Sequence, residues 1–171
     1  MKIGLISDTH ITEKRGKLSE KVLDCFNDVN LILHAGDIIS QKVLDTLNQI
    51  APTIAVEGNN DRTRKTIDLK PSEIIEIDDL KILLIHGDKL PSRNFKKYCD
   101  FAQKHNADIL ISGHTHKPHC EKIENVLLIN PGSPNRQIKS DASIAILTID
   151  KEKEYKNKLD KISIEFIKIE K

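Results

Sequence analysis

Five short polar clusters, each placed directly after a short apolar run, constrain the fold of this chain more than any other feature. Each apolar run has the length and composition of a buried strand, so each cluster is expected at a strand end. Ligand sites in open α/β sheets lie beyond the carboxyl ends of the strands, and we therefore expect the clusters to meet. The clusters are Asp8-Thr9-His10, Gly36-Asp37, Gly58-Asn59-Asn60-Asp61, His86-Gly87-Asp88 and Gly113-His114-Thr115-His116.

Apolar periodicity predicts an α/β fold built from two mixed β-sheets. The first third of the chain alternates strands at 3–7, 31–33 and 53–56 with helices at 18–26 and 43–50. Farther along, the pattern predicts strands at 74–77, 81–85, 108–111, 126–129, 144–149 and 162–169, with a helix at 95–105. Asp78-Asp79 is a hairpin turn signal, and the charge-rich segment 151–161 is interpreted as a solvated connection. We expect the two sheets to pack together with helices outside, as a single domain over 1–171.

Composition argues against a protein that coats nucleic acids or membrane surfaces. The chain has 171 residues and a net charge of +1, so it has no charge excess for coating a nucleic acid or a membrane surface. It has no Trp and only 4% aromatic residues, which makes an extended base-stacking platform unexpected. The odd, widely spaced Cys25, Cys99 and Cys120 predict no disulfide framework and indicate a reducing, cytoplasmic setting. The apolar start of the chain is too short for a signal peptide or a membrane span.

The ligand types and their spacing predict a site for two divalent metal ions. Asp8 and His10 are two residues apart and can chelate one ion together, and His114 and His116 repeat this spacing after another strand. Each such pair alone is common in ordinary loops. Four of the seven histidines, however, stand at strand ends in these clusters, which makes the joint pattern far more specific.

Three further side chains complete the expected ligand set. Asp37 can bridge two ions through its carboxylate, Asn59 offers an uncharged oxygen and His86 another nitrogen. Imidazole ligands favour Mn, Fe, Ni or Zn over Mg or Ca. The other histidines are expected to have a packing or supporting role (His34) or to lie at the surface (His105 and His119).

In their order, the five clusters resemble the signature blocks of the calcineurin-like metallophosphoesterase superfamily. The short chain, His34-Ala35-Gly36-Asp37 and Asn130-Pro131-Gly132-Ser133 resemble the small bacterial and archaeal phosphodiesterase branch. The resemblance implies a four-layer αββα sandwich and a phosphodiesterase that uses a metal-bridging hydroxide as nucleophile. It implies a first ion on Asp8, His10, Asp37 and His116, and a second on Asp37, Asn59, His86 and His114.

The same resemblance suggests the cofactors, the partners and one alternative. Manganese is the expected ion, with nickel, iron or zinc as alternatives, and the expected partners are a small phosphodiester and further copies in a homodimer or homotetramer. No membrane partner is expected, and a nucleic acid is not favoured. A eukaryotic retromer subunit of this fold is a protein-binding scaffold, so a scaffold is the alternative. The complete ligand set favours an enzyme.

The third cluster departs from the wider superfamily at one position. Many members have a histidine directly after the metal-binding Asn, where this chain has Asn60. An amide cannot protonate a leaving oxygen, so a contribution of about 10²–10⁴-fold is missing and easily cleaved aryl diesters are favoured. Asn60, Asp61 and Arg62 are the candidate catalytic residues.

Charge counting also favours diesters. Two divalent ions, two aspartates and a hydroxide leave one positive charge, which matches a monoanionic diester. A dianionic monoester would need another cation, which Arg62 could supply. The segments 62–72 and 88–96 are expected to rim the site and to set its specificity.

Overall fold

Ten strands and four α-helices form the described part of the chain. The computed structural model describes residues 1–12, 14, 16–65, 67–91, 94–135, 141–152 and 154–169. The elements are β1 (Lys2–Ile6), α1 (Glu20–Phe26), β2 (Leu31–His34), α2 (Gln41–Asn48), β3 (Thr53–Ala55), α3 (Asn59–Arg64), β4 (Ser72–Ile77), β5 (Leu80–Ile85), α4 (Phe95–Lys104), β6 (Ile109–Ile111), β7 (His119–Ile123), β8 (Val126–Asn130), β9 (Ser143–Ile149) and β10 (Ile162–Lys168).

Both sheets are mixed, as predicted. The first has the strand order β10-β9-β1-β2-β3. In it β1, β2 and β3 are parallel, and β9 is antiparallel to both of its neighbours, β1 and β10. The second has the order β4-β5-β6-β8-β7, with β5, β6 and β8 parallel between two antiparallel edge strands. Because Ile6 pairs with His34, the loops that carry the first and second clusters leave the sheet side by side.

The core confirms the four-layer αββα arrangement. Alternate residues of a strand point to opposite faces, so Leu5 packs between the sheets while Ile6 faces the helices. The helices α1 and α2 cover the outer face of the first sheet, and α4 covers the second. A Cβ at Gly4 would lie 2.9 Å from the ring of Phe26, so this glycine permits the close approach of α1.

The predicted strands and helices are found to within a few residues, and the Asp78-Asp79 turn joins β4 to β5 as expected. One α-helix and one strand were not predicted. The helix α3 begins inside the third cluster, which the pattern predicts only as the end of a strand, and β7 forms a strand through its pairing with β8. The prediction that His119 lies at the surface is wrong, because its half-buried ring stacks on Phe95 with centroids 4.0 Å apart.

The charge-rich connection also contains more structure than expected. Lys158–Lys161 form one turn of 3₁₀ helix, and Leu159 within it is buried against the core between the sheets. His105 ends α4, and its Nδ1 lies 2.9 Å from the carbonyl oxygen of Phe101. None of the described helices is long and apolar enough to cross a membrane.

Candidate metal centre

The structure brings all seven predicted ligands together beyond the carboxyl ends of five parallel strands. The loops after β1 and β2, and the start of α3 after β3, carry those of the first sheet: Asp8, His10, Asp37 and Asn59. The loops after β5 and β6 carry those of the second: His86, His114 and His116. The two sheets therefore contribute to one site.

One group of ligand atoms is formed by Asp8, His10 and His116. The Nε2 atoms of His10 and His116 are 3.3 Å apart. Asp8 Oδ1 lies 3.1 Å from His116 Nε2 and 3.9 Å from His10 Nε2. All three ligand atoms lie within 4.8 Å of one another, which suits a single ion.

A second group is formed by Asp8, Asp37 and His86, with Asn59 and His114 beside it. Asp37 Oδ2 is 3.6 Å from His86 Nε2, and Asn59 Oδ1 is 3.1 Å from the same nitrogen. The rings of His86 and His114 have centroids 5.2 Å apart. These residues place a second set of ligand atoms next to the first.

Two carboxylates lie between the groups. Asp37 Oδ2 is 3.7 Å from His10 Nε2 as well as 3.6 Å from His86 Nε2, which is where a bridging ligand is needed. Asp8 Oδ1 belongs to both groups, at 3.1 Å from His116 Nε2 and 4.0 Å from His86 Nε2. The sequence had indicated a central position for Asp37 alone.

Hydrogen bonding around His86 shows that these residues fit a cation. His86 Nδ1 lies 2.8 Å from the carbonyl oxygen of Ala35, so Nδ1 carries the proton and donates it. Its Nε2 then presents a lone pair toward Asn59 Oδ1 and Asp37 Oδ2, which are also acceptors. Three converging acceptors repel one another unless a positive charge lies among them.

The protonation states also suit metal binding. Burial alone would raise the pKa of Asp8, but the imidazoles of His116 and His86 and the hydroxyl of Ser7 hold it below its ordinary value. Buried Asp8 Oδ1 has no hydrogen-bond donor among the described residues other than the imidazoles. Burial lowers the pKa of His10, which favours its neutral form. Ionised carboxylates and neutral imidazoles are the forms that bind metals.

Five of the seven predicted ligands have left-handed backbones, with φ between 49° and 67°: Asp8, His10, Asp37, His114 and His116. Ten described non-glycine residues have positive φ, so half of them are predicted ligands. Such conformations are costly and persist where the surrounding contacts enforce them, as at many active sites.

Glycines let the cluster loops approach each other. A Cβ at Gly113 would lie 1.9 Å from Ser7 Oγ and 2.7 Å from Asp8 Oδ2, and one at Gly58 would lie 2.2 Å from Asp37 Oδ1. Any side chain at either position would displace a predicted ligand.

The three candidate catalytic residues have three different environments. Asn60 donates its backbone N–H to Asp37 Oδ1 at 2.8 Å and its side-chain amide to Asp37 Oδ2 at 2.7 Å. Asp61 is buried and accepts backbone N–H groups from Ile38, Ile39 and Gly58.

Arg62, the third candidate, lies between two acids. Its guanidinium contacts Glu57 Oε1 at 3.0 Å, and it donates a second hydrogen bond to Asp88 Oδ2. It lines a cavity beside His86 together with parts of the predicted rim segments 62–72 and 88–96. Thr66, Ser92 and Arg93 of those segments lie outside the described residues.

Sequence reasoning assigned no role to several supporting residues. Asn130 donates to the carbonyl oxygen of Gly113 at 2.6 Å, and Ser133 donates to that of Asp8 at 2.8 Å. The signal that could have found both was the Asn130-Pro131-Gly132-Ser133 block.

His34 is fully buried, with Nε2 3.3 Å from Thr9 Oγ1, in line with its predicted packing role. Burial lowers the pKa of His34 to about 3.

The sequence matches the family model described as the calcineurin-like phosphoesterase superfamily domain over residues 1–152. The chain belongs to the calcineurin-like phosphoesterase superfamily. It is 42% identical over 153 residues to a probable metallophosphoesterase of Methanothermobacter thermautotrophicus, covering 90% of this chain and 88% of the relative. It is also 34% identical to a phosphodiesterase of Methanocaldococcus jannaschii, covering 91% of this chain and 97% of the relative.

Two solved structures show the same calcineurin-like fold. An archaeal phosphodiesterase superposes with a TM-score of 0.71 at 29% identity, covering 98% of this chain and 99% of that one. Vps29 from Entamoeba histolytica superposes with a TM-score of 0.78 at 23% identity, covering 98% of this chain and 99% of that one. The second likeness concerns the fold alone.

Proposed function

We propose that this protein is a dinuclear metal-dependent phosphodiesterase. The observation that carries the proposal is the convergence of acceptor atoms at the two groups, where Asp8 and Asp37 lie between four imidazoles and Asn59 Oδ1. The family and its phosphodiesterase-named relatives support phosphoester hydrolysis at this site.

The ligand assignment follows the two groups. One ion would be held by Asp8, His10, Asp37 and His116, and the other by Asp37, Asn59, His86 and His114. Two divalent ions bound there would generate a nucleophile from water and neutralise charge on the phosphate. Manganese is the proposed ion, with nickel, iron and zinc as alternatives of the same ligand preference.

The environments of Asn60 and Arg62 support diesters over monoesters. The amide of Asn60 is directed to Asp37 and has no proton to give a leaving oxygen, so good leaving groups are favoured. The charge of Arg62 is already matched by Glu57 and Asp88, so it is a weak source of the extra cation that a dianionic monoester needs. Asn60 and Asp61 act here by positioning the ligand loops.

The test is a metal-supplemented assay of bis(p-nitrophenyl) phosphate and p-nitrophenyl phosphate. We expect Mn²⁺-dependent hydrolysis that favours the diester, and loss of at least about a hundredfold in Asp37→Ala and His114→Ala, since each removes a ligand. Asp160→Ala and His105→Ala are matched controls outside the site. Full activity in the ligand variants would refute the metal assignment, and equal turnover of both esters would refute the diester preference.

The scaffold alternative is kept open by the likeness to Vps29. It predicts no metal-dependent hydrolysis of either ester, so the same assay separates the two functions.

We also propose a cytoplasmic location, which the unpaired thiols of Cys25, Cys99 and Cys120 support. A homodimer or homotetramer is a further proposal, supported by β10 at an edge of its sheet, where a second copy could pair.

A further inference from the structure

A cavity of about 320 Å³ lies directly beside the second group of ligand atoms. His86 forms one wall, the loop after it contributes Asp88 and Leu90, and α3 contributes Arg62. This volume is at the lower end of the range for small-molecule sites. A substituent on a phosphate bound at the metal centre would therefore have space here.

The charges of this cavity are balanced. Its described lining includes two acids and two bases: Glu57, Asp88, Arg62 and Lys89. Arg62 lies between the two carboxylates, whose side chains are 21% and 16% exposed, and its own side chain is 36% exposed, so solvent partly screens both pairs. Glu57, Arg62 and Asp88 together carry two negative charges and one positive charge, which disfavours a second phosphate, and the other base of the described lining, Lys89, is exposed.

The remaining surface is largely apolar. Pro71, Ile85, Leu90 and Phe101 contribute to the same cavity. Apolar surface of this kind favours an aryl ring or a nucleoside over a strongly hydrated group.

We propose that this cavity binds the uncharged substituent of the phosphodiester, and that the Glu57–Arg62–Asp88 cluster excludes substituents with a further phosphate. The inference rests on the proposed phosphodiesterase function and adds a substrate class to it. The preferred substrates are then diesters of a single phosphate with an aromatic or nucleoside alcohol.

The experiment compares two chromogenic diesters that differ by one phosphate. They are the p-nitrophenyl ester of thymidine 5′-phosphate and the same compound with a 3′-phosphate. We expect the wild-type protein with Mn²⁺ to have the higher kcat/KM on the first. The double variant Glu57→Gln/Asp88→Asn removes both carboxylates that bind Arg62. Its kcat/KM on the 3′-phosphorylated diester should then rise about fivefold relative to its kcat/KM on the diester without a 3′-phosphate. This factor corresponds to the free energy of one partly exposed ion pair.

Arg62→Gln gives the opposite prediction. It leaves Glu57 and Asp88 unbalanced, so kcat/KM on the 3′-phosphorylated diester should fall further relative to the uncharged one. The matched control is Asp100→Asn/Glu124→Gln, which releases Lys96 from two carboxylates at 2.9 Å and 2.6 Å. This surface cluster lies outside the cavity, and its release should leave the ratio unchanged.

The outcomes separate the two proposals. A wild-type protein without metal-dependent hydrolysis of either diester would overturn the proposed function. A wild-type protein that hydrolyses both diesters equally well, or variants that leave the ratio at the wild-type value, would overturn the cavity assignment while the phosphodiesterase stands.

Discussion

Asp37 is held at both carboxylate oxygens by one neighbour, Asn60. The backbone N–H of Asn60 fixes one oxygen, and the side-chain amide fixes the oxygen that faces His10 and His86. Asn60 therefore has a positioning role that its side-chain chemistry alone did not indicate.

Replacement of Asn60 should weaken metal binding more than turnover. In Asn60→Ala the Asp37 carboxylate loses one of its two donors, so the Mn²⁺ concentration for half-maximal activity should rise about tenfold. The measurement is a Mn²⁺ titration of diester hydrolysis. Asn48→Ala is the control, because it also removes one amide contact, to the N–H of Thr53, away from the site. An unchanged Mn²⁺ requirement would contradict the positioning role.

At the scale of elements, α3 joins the second and third clusters. It begins at Asn59, directly after Gly58, and Asp61 lies in its first turn. The carboxylate of Asp61 accepts N–H groups from Ile38 and Ile39 in one loop and from Gly58 in the other. One short helix thus fixes the spacing of Asp37 and Asn59.

Replacing one of the two acceptor oxygens of the Asp61 carboxylate by an amide should destabilise the protein. In Asp61→Asn one carboxylate oxygen becomes an amide donor that faces a buried N–H, so the free energy of unfolding should fall by about 2 kcal/mol. Urea unfolding followed by circular dichroism measures the change. Asp160→Asn, at an exposed position, should leave the midpoint unchanged. Equal midpoints for both variants would argue against the loop-joining role of Asp61.

At the scale of the whole molecule, the sandwich buries a histidine that folding keeps neutral. His34 is fully buried at the end of β2, and burial lowers its pKa from 6.5 to about 3. Between these two values the unfolded chain binds a proton that the folded protein does not. Stability is therefore lost as the pH falls through this window and is recovered as the pH rises above 6.5.

The His34→Gln variant should be less sensitive to acid. As the pH is lowered within this window, the free energy of unfolding should fall in both proteins. The fall should be steeper in the wild-type protein than in His34→Gln by about 1.4 kcal/mol per pH unit. Urea unfolding between pH 6 and pH 4, with a chelator present to exclude metal effects, gives the two slopes. His105→Gln is the control at a helix end. Equal slopes for the wild-type protein and His34→Gln would show that His34 does not carry this dependence.

Local patterns were sufficient for most of the fold. The apolar run before Asp8 gives β1, and Asp78-Asp79 gives the turn between β4 and β5, because both depend on residues close in sequence. The strand β7 was missed because Glu121 and Lys122 make it polar, and only its pairing with β8 makes it a strand. The helix α3 was missed because six polar residues have no apolar periodicity.

The sequence by itself determined which side chains could serve as ligands, and placed them after strands in an order typical of one superfamily. Tertiary structure alone decided that Asp8 shares both groups, that Asn60 holds Asp37 and that Arg62 is matched by two acids. The physical reason is the distance along the chain between the partners. His10 and His116 are 106 residues apart and Arg62 and Asp88 are 26 apart, so no local pattern records their contacts. Only the packing of two sheets brings them within a few ångströms.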